Sequence, residues 1–379
     1  MKKILILSYY FLIFLFVLFS YFFIDPNLSY LKIIYSGFSI HERTFTSIIY
    51  IAFIIIIFFY YYLFLKLVRK KVIDKKNIKR IIIMISLLFV FSYPSILSYD
   101  IFNYMATAKV LYFYKENPYI IMPIEFIRDP AFTFVRASNK ISLYGPFWLL
   151  LTGFPYFIGF NNFILTLFSF KLLNLIFYFL TLLTIWKISK KDLFAVSFFA
   201  LNPLILIETL ISNHNDIEMM FLALLSFYLL FYKKKTVGFI ALFLSVLIKY
   251  STLILIPVYI YWWIKYKKKN LANTEKVIYY SFISMIIVFI LSPLREEMYS
   301  WYAIWFLTFA CFLYKNKLIL YLSIFVSFGL LISYLPYVYS GLYSNSTIIL
   351  KYLIILSSVI IGIICYYLRR HISIMKFLQ

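Results

Sequence analysis

The chain has 379 residues, is 64% hydrophobic and 23% aromatic, and carries a formal net charge of +23. Soluble domains are closer to half apolar, so this composition excludes an ordinary water-soluble protein and predicts an all-α, polytopic membrane protein. The basic charge does not indicate a nucleic-acid partner, because Lys and Arg gather at the ends of alternate apolar runs, as the positive-inside rule describes.

The apolar runs predict twelve membrane-spanning helices, at about 20 residues per span. The first run is too long for the hydrophobic region of a signal peptide. The predicted spans are 4–24, 47–67, 81–99, 163–186, 193–210, 217–232, 236–248, 251–264, 277–293, 299–314, 318–338 and 347–368. An even number of crossings places both basic termini in the cytoplasm.

One further apolar segment, 145–160, contains Pro146, Gly153, Pro155 and Gly159. Counting it as a full crossing would place the following basic cluster on the outer side. We therefore interpret it as a partial or re-entrant helix, which membrane proteins tolerate where protein surrounds it.

The longest predicted external segment is 100–144. Four of its apolar residues share one face at helical spacing: Ile101, Met105, Ala108 and Tyr112. This pattern favours a helix along the membrane surface. With no internal repeat or linker, the chain 1–379 is predicted to be a single membrane domain.

Asp100 stands where the chain leaves the predicted span 81–99, and two compatible interpretations are open. As an N-cap, its carboxylate would accept the free backbone N–H groups of a helix that begins at Ile101. As a general base, it would lie at the membrane boundary, within reach of a lipid-borne and a water-borne substrate.

A second polar group follows Asn202-Pro203-Leu204. Pro203 is expected to break or kink its helix, and Glu208 and the run Asn213-His214-Asn215-Asp216 come next. The run is either a hydrated turn, in which Asn and Asp are common, or part of a substrate-binding site. Glu208 and Glu218 make the region more polar than a tight turn requires.

Lys249 and Arg295 are the main basic candidates on the outer side. Lys249 lies between 236–248 and 251–264, which are predicted to form a helical hairpin. An ionisable residue at such depth suggests a functional site, although a long side chain can also snorkel to the interface. Arg295 is followed by two glutamates that could pair with it at the surface.

Aromatic residues open the predicted span 299–314. Trp and Tyr are enriched at membrane interfaces, so an aromatic belt accounts for Trp301 and Tyr302. Sugars also stack on such rings, and both residues therefore remain candidates for substrate binding.

The order of these motifs carries more information than any one of them. The order is Asp100, Asn117-Pro118-Tyr119, Tyr144-Gly145-Pro146-Phe147-Trp148, Asn202-Pro203-Leu204 with Asn213 to Asp216, Leu247-Ile248-Lys249-Tyr250 with Pro257, and Trp301-Tyr302 with Trp305. Over about residues 81–314, the chain resembles the polyprenyl-phosphate-sugar-dependent glycosyltransferases of the GT-C superfamily, especially bacterial and archaeal mannosyltransferase-like members. Lys115 and Ser300 depart from the pattern, since many relatives have glycine and proline there.

The resemblance implies a GT-C-like fold and inverting transfer of a sugar, with mannose favoured by the family. The implied donor is a polyprenyl-phosphate sugar, and the acceptor is a glycan or lipid-linked glycan at the non-cytoplasmic face of the cell membrane. Asp100 matches the family's catalytic carboxylate and would take the proton of the acceptor hydroxyl.

The same resemblance suggests roles for the other candidates. Lys249 and Arg295 would stabilise the leaving phosphate. The residues expected to bind or orient the substrates are Tyr104, Tyr144, Glu208, Asn213, His214, Asn215, Asp216, Trp301 and Tyr302. No cofactor is predicted, although Asp100 with Asp216 or Glu208 could hold a divalent metal if these carboxylates converge.

Two other function classes fit the composition. A flippase or transporter of a lipid-linked or anionic glycan would use embedded lysines along its pathway. However, such carriers often show matched halves, which are not visible here. A membrane acyltransferase would require its own nucleophile or base, and no His-rich signature is present.

Overall fold

The computed structural model describes residues 2–23, 38–126, 128–232, 234–266 and 274–375. Its regular structure is helical, and these ranges contain no β-strand. The predicted all-α class is therefore confirmed.

The α-helices of at least four residues are labelled here in chain order, apart from a single turn at Phe38–His41. They are α1 (Lys2–Ser20), α2 (Arg43–Arg69), α3 (Lys75–Val90), α4 (Asp100–Tyr112), α5 (Pro146–Ile158), α6 (Phe163–Ile188), α7 (Leu193–Ala200), α8 (Pro203–Leu206), α9 (Asp216–Phe231), α10 (Lys235–Val246), α11 (Leu255–Tyr266), α12 (Thr274–Leu291), α13 (Ala303–Ala310), α14 (Lys317–Ile332), α15 (Leu335–Ser340) and α16 (Asn345–Met375). A π-helical turn, Ile207–Ile211, continues α8. Short 3₁₀ turns lie at Tyr21–Phe23, Pro94–Ile96, Pro123–Phe126, Pro130–Phe134, Tyr250–Ile254, Ser292–Leu294 and Ser300–Tyr302.

Within the described ranges, six helical segments are long and apolar enough to cross a membrane. They are Lys2–Phe23, Arg43–Arg69, Phe163–Ile188, Thr274–Leu294, Lys317–Ser340 and Asn345–Arg369. The count rises to seven if the bent pair Leu193–Ala200 and Pro203–Ile211 is one span. The twelve predicted spans are not reached by this criterion, because the remaining helices are short: twelve-residue α10 rises only about 18 Å against a hydrocarbon core of about 30 Å.

The predicted spans 81–99 and 299–314 extend well beyond the observed helices. The predicted span 81–99 lies on α3, which already ends at Val90. Tyr93 is extended, with φ −79° and ψ 133°, because the ring of Pro94 disfavours helical backbone in the residue before it. The predicted span 299–314 contains only the eight residues of α13.

Helix starts in the structure follow local sequence signals. Five helices begin after an Asp or Asn whose side chain accepts a hydrogen bond from a backbone N–H group of the first turn: Asp74, Asn162, Asp192, Asn202 and Asn316. These caps satisfy donors that a helix N-terminus otherwise leaves free. At Asn202 the following Pro203 occupies the first helical position, and the chain bends by 56° between α7 and α8. The predicted break at Pro203 is confirmed.

The central helix is α9, which packs against α6, α10 and α13. Its acidic first turn, with Asp216 and Glu218, is buried at the helix N-terminus, where the helix dipole favours negative charge. At the periphery α16 packs on α14 and leaves Ile349, Leu353 and Leu356 exposed. Such a contiguous apolar surface is compatible with contact to lipid.

The described part of segment 100–144 packs around α4, so the predicted helix at the start of the segment is confirmed. A small apolar cluster holds this helix to the later turns of the segment: Ala106, Val110, Phe132 and Val135. Lys109 and Asp129 add an ion pair at 2.6 Å.

The segments on either side of the basic candidate Lys249 also form helices. The predicted hairpin is confirmed by α10 and α11, where the Tyr259 hydroxyl donates to the Lys235 carbonyl at 2.7 Å. The segment 145–160 contains α5, whose thirteen residues rise about 20 Å, less than a full crossing.

Gly145 joins the two chain segments that carry Tyr144 and Lys249. Its N–H donates to the Ile248 carbonyl at 3.0 Å, and a Cβ at this position would overlap the Leu247 carbonyl oxygen. Because backbone would have to move, Gly145→Ala is expected to lower stability by about 1–3 kcal/mol and to reduce activity. Thermal unfolding of the protein in detergent measures the expected loss of stability.

Gly362→Ala is the matched control, because its Cβ would meet only side-chain carbons, the nearest 3.1 Å away on Phe325. Alanine is also the better helix former. A Gly145→Ala protein that melts at the wild-type temperature with full activity would contradict the expectation.

Candidate active site

The polar run Asn213 to Asp216 is folded into the interior rather than hydrated, since all four residues are fully buried. Asn213 adopts a left-handed backbone, φ 62°, which asparagine tolerates better than most residues. The next N–H, of His214, donates to the Glu208 carbonyl at 3.0 Å, and the Asn174 amide of α6 donates to the His214 carbonyl at 3.0 Å. The turn is therefore anchored on both sides of the imidazole.

His214 lies between two carboxylates. Its Nδ1 is 3.4 Å from Oδ2 of Asp100, and its Nε2 is 3.4 Å from Oε2 of Glu208. The ring stacks on Trp301 with centroids 3.8 Å apart and planes 17° from parallel. Three predicted site residues thus contact His214: Asp100 of α4, Glu208 of the π turn, and Trp301 of the 3₁₀ turn before α13.

Asp100 is the first residue of α4, and Tyr99 occupies the N-cap position. Its carboxylate accepts from the Tyr144 hydroxyl at 3.4 Å and its side chain is 25% exposed. The N-cap interpretation does not describe this geometry, because the helix begins one residue earlier than expected. The carboxylate is instead partly exposed and contacts the Tyr144 hydroxyl.

For both Asp100 and His214, burial and the neighbouring charges shift the pKa in opposite directions. Burial disfavours the ionised Asp100, but the adjacent His214, 3.4 Å away, with smaller effects of Lys249 and the Tyr144 hydroxyl, outweighs it and lowers the pKa of the Asp100 carboxyl. Burial likewise disfavours imidazolium, yet Asp100 and Glu208 together raise the pKa of His214 to about 9. Both shifts favour the charged form, carboxylate for Asp100 and imidazolium for His214.

Lys249 forms a second charged pair beside the first. Its Nζ lies 2.8 Å from Oδ2 of the fully buried Asp216, while the Lys249 side chain is 18% exposed. Trp305 donates its indole N–H to the other Asp216 oxygen. The ammonium also faces the rings of Tyr144 and Tyr302, with distances of 5.8 and 5.4 Å to their centroids. The structure thus gives Lys249 a partner within the protein.

The other predicted residues fall into two groups. Tyr104 packs edge-to-face on Tyr144, and its buried hydroxyl has no hydrogen-bond partner in the described part of the chain. The amides of Asn213 and Asn215 are likewise buried and unpaired among those residues. By contrast, Arg295 is exposed after α12, forms no salt bridge within the described ranges, and does not join the group.

A cavity of about 380 Å³ opens beside Asp100. Its lining includes Asp100, Arg136, Lys140, Trp301, Tyr334 and Lys351. The sequence reasoning did not select Arg136, Lys140 or Tyr334. A signal for the first two was present, because basic residues within a predicted external segment run against the positive-inside pattern.

The carboxylates of the site face basic or hydroxyl groups rather than one another. Glu208 also accepts from the Tyr334 hydroxyl at 2.9 Å. Among the residues that the structure describes, no group of three or more His, Cys, Asp and Glu side chains is arranged to hold a metal ion. The arrangement offers a cavity-facing carboxylate that can accept a proton and a nearby ammonium that can stabilise an anion.

Comparison with known protein families gives a match over residues 27–265 to the family described as alpha-(1->6)-mannopyranosyltransferase, N-terminal domain. The matched range covers more than half of the chain and includes Asp100, His214 and Lys249. No curated protein and no solved structure matches the chain. The predicted GT-C resemblance and the glycosyltransferase class are confirmed by this match. The chain belongs to the alpha-(1->6)-mannopyranosyltransferase family, a family of GT-C-type mannosyltransferases.

Proposed function

We propose that the protein transfers mannose from a polyprenyl-phosphate donor to a glycan or lipid-linked acceptor, with inversion at the anomeric carbon. The observation that carries this proposal is the Asp100 carboxylate, which faces a cavity of about 380 Å³ and is flanked by His214 and Tyr144. Membership of a mannosyltransferase family supports the sugar and the reaction class.

In the proposed step, Asp100 accepts the proton of the acceptor hydroxyl as its oxygen attacks the anomeric carbon. The bond between that carbon and the phosphate oxygen breaks, and its electron pair leaves with the polyprenyl phosphate. A single displacement inverts configuration, so an α-linked product requires a β-linked donor.

Lys249 is proposed to stabilise the charge that develops on the leaving phosphate. Its ammonium is partly exposed and close enough to Asp100 to affect that carboxyl electrostatically. Arg295 is left out of the proposed step, because it lies apart from the grouped side chains.

The substrates are proposed to meet the aromatic residues at the cavity and its margin. Trp301 lines the cavity beside Asp100, and Tyr302 and Tyr144 flank Lys249. Tyr104, Asn213 and Asn215 lie fully buried behind them. We assign these three to supporting the site, since a fully buried side chain does not reach a substrate in this conformation.

The proposal includes the topology predicted above, with twelve crossings, cytoplasmic termini and a non-cytoplasmic site in the cell membrane. The short helices would complete their crossings with the irregular segments that flank them, such as 91–99 after α3. Basic clusters at alternate ends of the apolar runs support this orientation.

The direct test uses purified protein in lipid nanodiscs, an acceptor mannoside, and either polyprenyl-phosphate β-mannose or GDP-mannose. We expect an α(1→6)-linked product from the lipid donor alone, identified by NMR of the product. Transfer from GDP-mannose alone would contradict the proposed donor. Movement of the lipid-linked sugar across the bilayer without any transfer would favour the flippase alternative.

A further inference from the structure

We infer that His214 is a positioning residue whose imidazolium bridges Asp100 and Glu208 and holds the Asp100 carboxylate charged and directed into the cavity. The inference deepens the proposed function, since it rests on the role of Asp100 as the base. It assigns to His214 a contact with the base instead of the contact with substrate expected from sequence.

The contacts of both ring nitrogens carry this inference. Each nitrogen of His214 is 3.4 Å from a carboxylate oxygen, one on Asp100 and one on Glu208. A neutral imidazole has a single N–H group and presents a lone pair at the other nitrogen, whereas imidazolium presents two N–H groups. Only the charged ring therefore offers a favourable interaction to both carboxylates at once.

The surroundings of His214 fix the position of the ring. Its backbone is bonded on both sides, to Glu208 and Asn174, and one face stacks on Trp301. The side chain is fully buried, while that of Asp100 is 25% exposed. His214 does not line the cavity, so it acts on a substrate through the lining residues that it contacts, Asp100 and Trp301.

Glu208 completes the arrangement as the second carboxylate that contacts the imidazolium. It is fully buried, and Tyr334 donates to its second oxygen at 2.9 Å. A buried carboxylate without a counter-charge is costly. The imidazolium supplies the counter-charge for Glu208, and Glu208 in turn stabilises the charged ring. The charged ring lowers the pKa of Asp100.

Other titratable groups lie on the elements packed around the ring. They include Tyr50 on α2, Tyr104 on α4, Lys171 on α6, Tyr144 before α5, Asp216 and Glu218 on α9, Lys249 after α10, Tyr299 before α13, and Tyr334 after α14. Lys249 and Asp216 are paired with each other at 2.8 Å. Asp100 and Glu208 remain the carboxylates in direct contact with the imidazole.

The protonation of His214 can be measured without any substrate. Solid-state NMR of protein labelled with [¹⁵N]histidine in lipid bilayers reports on its three histidines, and the signal lost in His214→Gln identifies this one. We expect both ring nitrogens to be protonated at neutral pH and to titrate near pH 9. Glu208→Gln should lower that midpoint by about one to three pH units, whereas the exposed Glu116→Gln should not change it.

A ring that is neutral at neutral pH, or a midpoint unaffected by Glu208→Gln, would overturn the inference. The NMR titration of His214 does not depend on which sugar donor the protein uses. A wild-type protein that fails to transfer mannose therefore counts against the proposed function, while the NMR result decides the state of His214 separately.

The pH profile of transfer tests the effect of His214 on Asp100. In wild type the imidazolium is present below about pH 9 and lowers the pKa of Asp100. In His214→Gln, the acidic limb of kcat/KM should therefore move to higher pH by about one to three units. A purely structural loss would lower activity equally at every pH, and an unshifted limb would reject the positioning role.

Discussion

Asp100→Asn is expected to lower kcat for mannosyl transfer by about 10²–10⁴-fold, the usual contribution of a positioned general base. The amide has nearly the shape of the carboxylate, so expression and folding should persist. It cannot accept the acceptor proton, and it removes the negative charge beside His214 Nδ1. Initial rates at saturating donor and acceptor, with the protein in nanodiscs, measure the loss.

The control for this variant is Glu116→Gln, the same chemical change at an exposed carboxylate in the same segment, 100–144. It should retain wild-type rates. If Asp100→Asn transfers mannose at an undiminished rate while remaining folded, Asp100 is not the base, and the chemical step proposed above is wrong.

Lys249→Ala is expected to weaken donor binding and to destabilise the fold together. Loss of a hydrogen bond to a charged phosphate, about 1.5–3 kcal/mol, corresponds to about 10–100-fold in donor affinity. The variant also leaves Asp216 buried without its partner. Removing one member of a buried ion pair costs about 3–5 kcal/mol, so the single variant alone cannot separate the two effects.

The double variant Lys249→Met/Asp216→Asn separates them. It removes both charges while keeping the side-chain volumes similar, and an amide oxygen at position 216 can still accept from Trp305. Thermal stability should recover toward wild type, whereas donor affinity, measured as the KM or Kd of the polyprenyl-phosphate sugar, should stay weak. Wild-type donor affinity in the folded double variant would show that Lys249 serves only the ion pair.

The site contains residues from the range that matches the family and residues that follow this range. Asp100, His214 and Lys249 lie within residues 27–265, whereas Trp301 and Tyr334 follow it. Tyr334 contacts Glu208, and Trp301 stacks on His214. The C-terminal part therefore supplies one wall of the cavity and supports the charged centre.

The sequence by itself determined the all-α class, the start of α4 to within one residue, and the break at Pro203. These features depend on hydropathy, on helical spacing and on which backbone N–H groups a nearby side chain can reach, so neighbouring residues specify them. The same local signals overestimated helix length at 81–99, where a run can be apolar without being helical to its end. Motif order was sufficient to indicate a GT-C-type, mannosyltransferase-like protein, which the family match confirms.

Only the tertiary structure decided how the candidate residues meet. It buried Asn213 to Asp216 instead of leaving a hydrated turn, and it paired Lys249 with Asp216, 33 residues away. It also placed His214 between Asp100 and Glu208 and left Arg295 outside the group. Charge pairing and ring stacking join residues that are distant along the chain, and such contacts leave no periodic signal in the sequence.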